Sequence, residues 1–300
     1  MHLLITNTWR DAHAHLAELE AMGHSVRFLA QESDPLPFAP EWVEGVIESR
    51  FFKTHPIGDF PNLRYIQLTS VGLDRNPVEE IRARGIRLCN ADGVYAVPMA
   101  EYTVMRMLEL CRKASETMEH QRERAWVKGI GQTELSGKTV CILGFGNYGR
   151  ETAKRLKAFG VTVLAVNRTQ KESPYVDAWY PLARMEEAFA RADVVMLAVA
   201  LTPETRGIIG RAQFGAMKRG ALFVNAARGA LTDEAALLDA LRSGRLSAAA
   251  VDAFCEEPLP ADSPLRDAEN LLLSSHNSYI SDGNAERMWR VIRNNLEREG

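Results

Sequence analysis

The sequence lacks any apolar run approaching the roughly 20 residues that a membrane-spanning helix needs. Its first residues are typical of a β-strand and not of a signal peptide. The cysteines are scattered without CxxC spacing, which favours reduced thiols in a cytoplasmic protein over a disulfide framework or a zinc site. The four of them are Cys89, Cys111, Cys141 and Cys255.

The sequence also has no large excess of either charge, no internal repeats and no low-complexity segments. The net charge is −3, with acidic and basic residues interspersed, which disfavours nucleic acid or a membrane surface as a partner. His13 and His15 lie two residues apart, on different faces of a predicted helix, so we expect no metal site. The 300 residues suggest about two domains, and 46% hydrophobic residues are ordinary for a globular protein.

The most informative stretch of the chain runs from Thr139 to Asn167. An apolar run at 139–143 predicts a strand, and the glycine motif GFGNYG follows it at 144–149. An amphipathic segment to Phe159, then Gly160, then an apolar run at 161–166 predict a helix, a stop and a second strand. This order is typical of a dinucleotide-binding βαβ unit, in which the helix N-terminus faces the phosphates.

Predicted strands and helices alternate on both sides of this unit. Pro98, at a helix start, opens a long predicted helix that continues to about Arg124. Strands separated by helices predict an α/β fold with a doubly wound parallel sheet. The other predicted helices lie at 11–22, 78–84, 233–242 and 283–298, and the other strands at 2–6, 25–29, 45–48, 63–69, 86–89, 193–200, 221–224, 248–251 and 271–274.

Three polar residues lie shortly beyond the carboxyl ends of predicted strands. These are Arg228, Asp252 and His276. Parallel sheets bind ligands beyond the carboxyl ends of their strands, so the three are candidates for a site. Taken singly, an Arg-Gly pair after a strand is more often a surface turn, and Glu257 in its Glu-Glu-Pro sequence is more often a solvated loop residue.

Four stretches, in this order and spacing, resemble the D-isomer-specific 2-hydroxyacid dehydrogenases, and the resemblance covers nearly the whole chain. It implies a Rossmann-type dinucleotide-binding domain at 93–279. It also implies a smaller flavodoxin-like substrate domain, built from 1–92 and 280–300, with the active site in the cleft between the two. The four stretches are the glycine motif, FVNAARG at 223–229, VDAFCEEP at 251–258 and SHN at 275–277.

The resemblance implies that Arg228, Glu257 and His276 form the catalytic set. An arginine offers a planar fork of donors that can hold a substrate carboxylate and stabilise charge developing on the carbonyl oxygen. A histidine can donate a proton in reduction and accept it in oxidation. Glu257 would bond the other imidazole nitrogen and orient the ring.

The resemblance also assigns residues to the cofactor. The motif residues would hold the pyrophosphate, with Asn147-Tyr148 standing where Arg-Ile is common in the family. Asp252 would bond the nicotinamide carboxamide, and the Thr202-Pro203 loop would lie near a ribose. The expected cofactor-binding residues are Gly144, Gly146, Asn147, Tyr148, Gly149, Asn167, Arg168, Thr169, Thr202, Pro203, Ala226 and Asp252.

The residues after the second strand of the βαβ unit, at 161–166, indicate which nicotinamide cofactor is preferred. NAD-specific members place an acid there to bond the ribose 2′-hydroxyl. This chain has Asn167, Arg168 and Thr169 instead, which suits a 2′-phosphate and favours NADP. The alternative is that Arg168 stacks on adenine, which leaves NAD acceptable.

Substrate contacts are expected from the first domain as well as from Arg228 and His276. Val71 and Gly72 lie in a turn whose backbone N–H groups would hold the substrate carboxylate, although Gly72 also suits a simple strand-ending turn. Phe51 and Phe52 follow a strand and would either line the pocket or belong to the core. Cys255 is either a reactive thiol or inert packing.

The expected activity is NADPH-dependent reduction of a small 2-keto acid to a D-2-hydroxy acid, with glyoxylate or hydroxypyruvate as the first substrates to consider. One alternative is NAD-linked oxidation of a larger acid such as phosphoglycerate. Another is a non-catalytic, dinucleotide-sensing binding protein. A formate dehydrogenase is disfavoured because those relatives replace the glutamate kept here as Glu257. The resemblance further implies a homodimer that pairs through the helix at 98–124.

Overall fold

The computed structural model describes residues 1–298, so the last two residues of the segment 280–300 lie outside the described residues. The chain divides into two compact units, Met1–Tyr95 with the chain from Ser281 onward, and Ala96–Ile280. The first division falls three residues later than the expected position after Asp92. Val94 is buried in the core of the first unit, and the Tyr95 hydroxyl donates to the Thr69 carbonyl at 2.6 Å.

The first unit contains a parallel sheet of five strands among the described residues. Its order is β2-β1-β3-β4-β5, the order of flavodoxin-like folds. Side chains from both faces of β1 are buried, as expected for a parallel sheet covered on both sides. The strands are β1 (His2–Thr6), β2 (Ser25–Leu29), β3 (Gly45–Glu48), β4 (Tyr65–Leu68) and β5 (Arg87–Cys89).

The helices of the first unit are α1 (Leu16–Ala21), α2 (Val78–Ala83) and α9 (Asn284–Glu297), as far as the chain is described. α9 is amphipathic and buries one face in the core of this unit, through Met288, Trp289, Ile292 and Leu296. The helix predicted at 11–22 is shorter than expected. Residues 12–15 form a 3₁₀ turn, where the ring of His15 stacks on that of Trp289 at 4.3 Å.

The second unit contains a seven-stranded parallel sheet within residues 96–280. Its order is β12-β11-β10-β9-β6-β7-β8. Successive strands are added on one side of β6 up to β8 and on its other side from β9 onward, so the switch point lies between β6 and β9. The predicted α/β class, with a doubly wound sheet and a smaller flavodoxin-like unit, is confirmed. The strands are β6 (Thr139–Leu143), β7 (Thr162–Val166), β8 (Ala178–Tyr180), β9 (Val194–Leu197), β10 (Ala221–Asn225), β11 (Leu246–Val251) and β12 (Leu271–Leu273).

Helices cover both faces of this sheet. The prediction of one long helix from Pro98 to Arg124 is wrong. It is two helices separated by Lys113, whose φ is 52°. The Cys111 carbonyl accepts from the Thr133 N–H at 2.8 Å, in place of the residue-115 N–H that a continuous helix would supply. The helices are α3 (Ala96–Arg112), α4 (Ala114–Arg122), α5 (Asn147–Lys157), α6 (Met185–Arg191), α7 (Arg211–Ala216) and α8 (Glu234–Arg242). Across residues 1–298, none of the helices is both long and apolar enough to pass through a membrane.

Candidate active site

The three glycines of the motif between β6 and α5 have different environments. Gly144 has φ of 97°, and a Cβ there would lie 2.5 Å from the backbone of Ala198. A Cβ on Gly149 would lie 2.4 Å from the Gly144 carbonyl oxygen. Gly146 differs, because a Cβ there would meet nothing within 4 Å and its φ is −80°. The protein itself does not require glycine at 146, whereas a pyrophosphate lying against the backbone would require it.

The N-terminus of α5 faces this open space. Gly146 is the N-cap and provides no side chain, so the first N–H groups of the helix remain available to an anion. The Tyr148 side chain points the other way, and its hydroxyl lies 2.5 Å from Thr103 Oγ1 on α3. Burial raises the pKa of the Tyr148 phenol, which therefore stays neutral. The Tyr148 hydroxyl is thus used within the protein, while its backbone N–H lies in the first turn of α5.

The residues after β7 form a turn at the end of the strand. Asn167 Nδ2 donates to the Thr169 carbonyl at 2.8 Å, while Arg168 is exposed. Across from it, Thr202 and Pro203 lie in a turn fixed by Thr205, whose hydroxyl accepts from the Thr202 N–H at 2.8 Å. A hydrogen bond from Thr202 and the charge of Arg168 both lower the pKa of Glu204. The turn therefore carries a carboxylate within electrostatic reach of Arg168.

The turn after β10 carries Arg228. Asn225 ties this turn to itself, because its Nδ2 donates to the Arg228 carbonyl at 2.9 Å and its Oδ1 accepts from the Ala227 N–H at 3.0 Å. Arg228 is half-buried, and its Nη1 donates to the Ala227 carbonyl at 3.0 Å. Ala226 is 1% exposed, so its side chain offers almost no surface to a cofactor.

Gly229 brings this turn against the loop that follows β11. A Cβ there would lie 2.0 Å from the carbonyl carbon of Phe254 and 2.4 Å from the Cys255 nitrogen. The two backbones therefore touch, and only glycine allows that distance. This contact places the Arg228 turn directly beside the loop that carries Glu257.

Glu257 and His276 are joined by a hydrogen bond. The imidazole Nδ1 lies 2.8 Å from Oε2 and 2.9 Å from Oε1 of the carboxylate. A carboxylate only accepts, so Nδ1 donates and the other ring nitrogen, Nε2, is left for a ligand. The Phe254 N–H donates to Glu257 Oε1 at 3.0 Å and fixes the carboxylate in turn. The sequence alone had left this pairing to the resemblance.

Asp252, at the end of β11, is fully buried and is surrounded by donors. Its Oδ1 accepts from the Ser274 hydroxyl at 2.6 Å and from the Asn277 N–H at 3.1 Å. Its Oδ2 accepts from the Ser278 N–H at 2.9 Å. The Asp252 carboxylate thus organises the loop that carries His276.

Cys255 lies in the loop after β11 and is exposed. Partial burial and the nearby Glu234 carboxylate raise the pKa of the Cys255 thiol to about 11. The nucleophilic form of a cysteine is the thiolate, which is therefore scarce at neutral pH. This environment is that of an unreactive thiol.

In the first unit, side-chain hydrogen bonds brace the turn at 69–72. Asn90 Nδ2 donates to the Val71 carbonyl at 2.8 Å, and the Ser70 hydroxyl donates to the Gly72 carbonyl at 3.0 Å. Among residues 1–298, no acceptor is found for the N–H groups of Val71 and Gly72. They remain the predicted donors to a substrate carboxylate.

The phenylalanines after β3 belong to the core of the first unit. Phe51 is 0% exposed and Phe52 is 8% exposed, and both pack edge to face against Phe60. The expectation that they line a pocket fails for Phe51, which presents no surface. The Phe51 N–H also donates to Oε2 of the buried Glu48 at 2.8 Å.

Residues 104–278 match the model of the family described as D-isomer specific 2-hydroxyacid dehydrogenase, NAD binding domain. The chain belongs to this family. It is 36% identical over 216 residues to D-3-phosphoglycerate dehydrogenase of Archaeoglobus fulgidus, a match that covers 72% of this chain and 41% of that protein. The chain thus spans less than half the length of this relative.

Two further relatives are matched over more of their own length. Glyoxylate reductase of Korarchaeum cryptofilum is 32% identical over 242 residues, covering 79% of this chain and 73% of that protein. A solved D-isomer specific 2-hydroxyacid dehydrogenase from Xanthobacter autotrophicus Py2, in complex with NADPH and MES, is 28% identical. It covers 99% of this chain and 94% of that chain, with a TM-score of 0.81.

Sequence reasoning missed three residues that shape the site of this family member. The sequence presents Gly229 only as part of a motif. In the structure, its contact with Phe254 sets the spacing between the Arg228 turn and the loop that carries Glu257. Ser274 directly precedes the SHN stretch and was the easier to find. Tyr102, which bonds Ser274, lies 172 residues away on α3, and no pattern in the sequence connects the two.

Proposed function

We propose that this protein is an NAD(P)-dependent D-2-hydroxyacid dehydrogenase that reduces a small 2-keto acid. The observation that carries the proposal is the hydrogen bond between Glu257 and His276. It lies at the carboxyl edge of the seven-stranded sheet, beside the buried Asp252. A carboxylate-held imidazole at this edge is suited to general acid and base catalysis.

The proposed chemistry follows from the geometry of these side chains. When bound, the reduced nicotinamide supplies the hydride that the carbonyl carbon accepts. His276 Nε2 donates the proton that the carbonyl oxygen needs, and Glu257 stabilises the ring in either protonation state. Arg228 binds the carboxylate of the acid and stabilises charge on the oxygen. Oxidation of the hydroxy acid uses the same groups in reverse.

The residues present fit a dinucleotide. Gly146 faces open space at the N-terminus of α5, where a pyrophosphate would find free N–H groups. Arg168 is exposed at the end of β7, between the uncharged Asn167 and Thr169. This arrangement supports NADPH as the preferred cofactor, since a guanidinium favours a 2′-phosphate.

Glyoxylate and hydroxypyruvate are the first substrates to consider. The relative named glyoxylate reductase supports them. The relatives named D-3-phosphoglycerate dehydrogenase support a second candidate, NAD-linked oxidation of a larger phosphorylated acid. Val71 and Gly72 are the proposed carboxylate contacts in the first unit for either substrate.

The test is a grid of two cofactors against several acids. Oxidation of NADPH and NADH is followed with glyoxylate, hydroxypyruvate, pyruvate, phenylpyruvate and phosphohydroxypyruvate. His276→Ala, which should lose several orders of magnitude in kcat yet bind cofactor normally, is the control for adventitious reduction. Equal rates in wild type and His276→Ala would contradict the catalytic assignment. Cofactor binding without turnover of any acid would favour a dinucleotide-sensing protein.

We also propose a homodimer that pairs through α3, α4 and the residues after them. Large apolar side chains are exposed there, with Met118 54%, Trp126 89% and Val127 52% exposed. An apolar surface of this kind is typical of a protein–protein interface. Sedimentation velocity of the wild type against Trp126→Glu tests it, because a dimer should dissociate and a monomer should not change.

A further inference from the structure

A hydrogen-bonded chain links α3 to the loop that carries His276. The Tyr102 hydroxyl on α3 and the Ser274 hydroxyl after β12 share a short hydrogen bond. Ser274 in turn lies 2.6 Å from Asp252 Oδ1, at the end of β11. All three residues belong to the second unit, so the chain runs from a helix to the ends of two adjacent strands.

The direction of the hydrogen bonds in this chain is fixed. The Asp252 carboxylate only accepts, so the Ser274 hydroxyl donates to it, and Tyr102 must then donate to the Ser274 oxygen. Burial raises the pKa of the Tyr102 phenol, which keeps this donor protonated. Hydrogen bonds arranged head to tail polarise one another, so Tyr102 strengthens the bond from Ser274 to Asp252.

Tyr102 itself is held in place on α3. The guanidinium carbon of Arg106 lies 4.9 Å from the centre of its ring. Arg106 Nη1 in turn bonds Glu109 at 2.7 Å. The phenol hydroxyl is therefore presented to Ser274 from a packed helical surface.

Asp252 in turn fixes the backbone around His276 through hydrogen bonds. The His276 N–H donates to the Asp252 carbonyl at 2.8 Å, and the N–H groups of Asn277 and Ser278 bond the carboxylate. His276 has φ of 49°, a left-handed conformation that non-glycine residues rarely adopt. The residue keeps this conformation because bonds on both sides of it impose it.

We propose that Tyr102 and Ser274 are positioning residues for His276. Acting through Asp252, they hold the His276 backbone in the left-handed conformation that delivers Nδ1 to Glu257 and aims Nε2 at the substrate. The proposal rests on the dehydrogenase function proposed above. Neither residue needs to touch the substrate or the reacting atoms.

The kinetic test uses Tyr102→Phe, Ser274→Ala and the double variant. Each single change should lower kcat by about threefold to tenfold, the loss expected for one buried hydrogen bond. The KM for the acid should stay within about twofold, because neither residue binds it. Tyr102 acts through Ser274, so the double variant should lose no more than Ser274→Ala alone. Losses that multiply in the double variant, or Tyr102→Phe with wild-type kcat, would overturn the proposal.

Ser247→Ala is the control. Like Ser274→Ala, it removes one hydrogen bond donated by a serine hydroxyl. Ser247 lies near the start of β11, at the opposite end of the strand from Asp252, and bonds the Gly220 carbonyl at 2.8 Å. It should keep the kcat of the wild type. An equal fall in kcat in this control would reduce the effect at Ser274 to general destabilisation and would overturn the proposal.

A second measurement does not depend on turnover. The imidazole nitrogen and proton resonances of His276 are recorded in wild type, Tyr102→Phe and Ser247→Ala, and assigned with His276→Gln. Tyr102→Phe should shift them and Ser247→Ala should not, whereas unshifted resonances in Tyr102→Phe would overturn the proposal. If wild type reduces no acid, the proposed function fails, and the resonances still decide whether Tyr102 positions His276.

Discussion

The imidazole Nδ1 of His276 lies 2.8 Å from Oε2 of Glu257, although the two residues come from loops after different strands. Glu257→Gln keeps the size of the side chain and removes its charge. Without that charge the imidazolium loses its stabilising partner, and the amide can bond the wrong tautomer of the ring, so kcat should fall by about 10²-fold or more. Steady-state kinetics measure the fall, and cofactor binding followed by fluorescence should be unchanged. A kcat within threefold of wild type would exclude this role.

Gly229 allows the Arg228 turn to touch the loop at 254–257. Gly229→Ala places a methyl group 2.0 Å from a backbone carbon of Phe254, so the two loops must separate. Thermal unfolding should show a loss of several kcal/mol, with activity falling further than stability. The control is Gly215→Ala in α7, where a Cβ meets nothing within 4 Å and alanine should stabilise the helix by about 0.5–1 kcal/mol. Equal stability of the two variants would refute the steric argument.

Arg168 provides the test of cofactor preference. Arg168→Gln should lower kcat/KM for NADPH by roughly tenfold, because the charge-assisted bonds to a 2′-phosphate are lost. The same change should leave the value for NADH nearly unaltered. Arg184→Gln, an equally exposed site after β8, should change neither. If Arg168→Gln lowers both values alike, the residue supports adenine and not the phosphate.

Glu48 should make stability depend on pH. Burial raises the pKa of Glu48 to about 8, against about 4.3 for an unfolded glutamate. Between these values the folded protein holds a proton that the unfolded chain releases, so the free energy of unfolding falls as pH rises. The slope contributed by this group is at most about 1.4 kcal/mol per pH unit, and it ends near the folded pKa.

Urea unfolding measured across that pH interval tests the Glu48 argument. Glu48→Gln, which keeps the acceptor for the Phe51 N–H, should lessen the decline in stability at higher pH. The difference between variant and wild type should therefore grow with pH. A parallel pair of pH profiles would show that Glu48 titrates alike in the folded and unfolded chains.

Features decided by neighbouring residues were the ones predictable from sequence. The strand, glycine turn and helix at 139–157 follow from local periodicity and from glycine geometry. The break at Lys113 did not, because it depends on the Thr133 N–H capturing the Cys111 carbonyl from another part of the chain. β8 has three residues, too few for alternation to be read.

The same distinction holds within the site. His276 could be singled out by its place after a strand, but its partner Glu257 required the family resemblance. The bonds from Tyr102 to Ser274 and from Ser274 to Asp252 join residues distant in sequence, so only the folded chain reveals them. For Phe51, composition does not decide between pocket and core, whereas the fold buries the side chain completely.

The contribution of α9 to the first unit also fixes an order of events during synthesis. Trp289 and Ile292 fill a core whose strands were translated before the whole of the second unit. The second unit has all of its strands before α9 emerges, so it can fold first on the nascent chain. The first unit therefore completes its core only after the whole second unit has been synthesised.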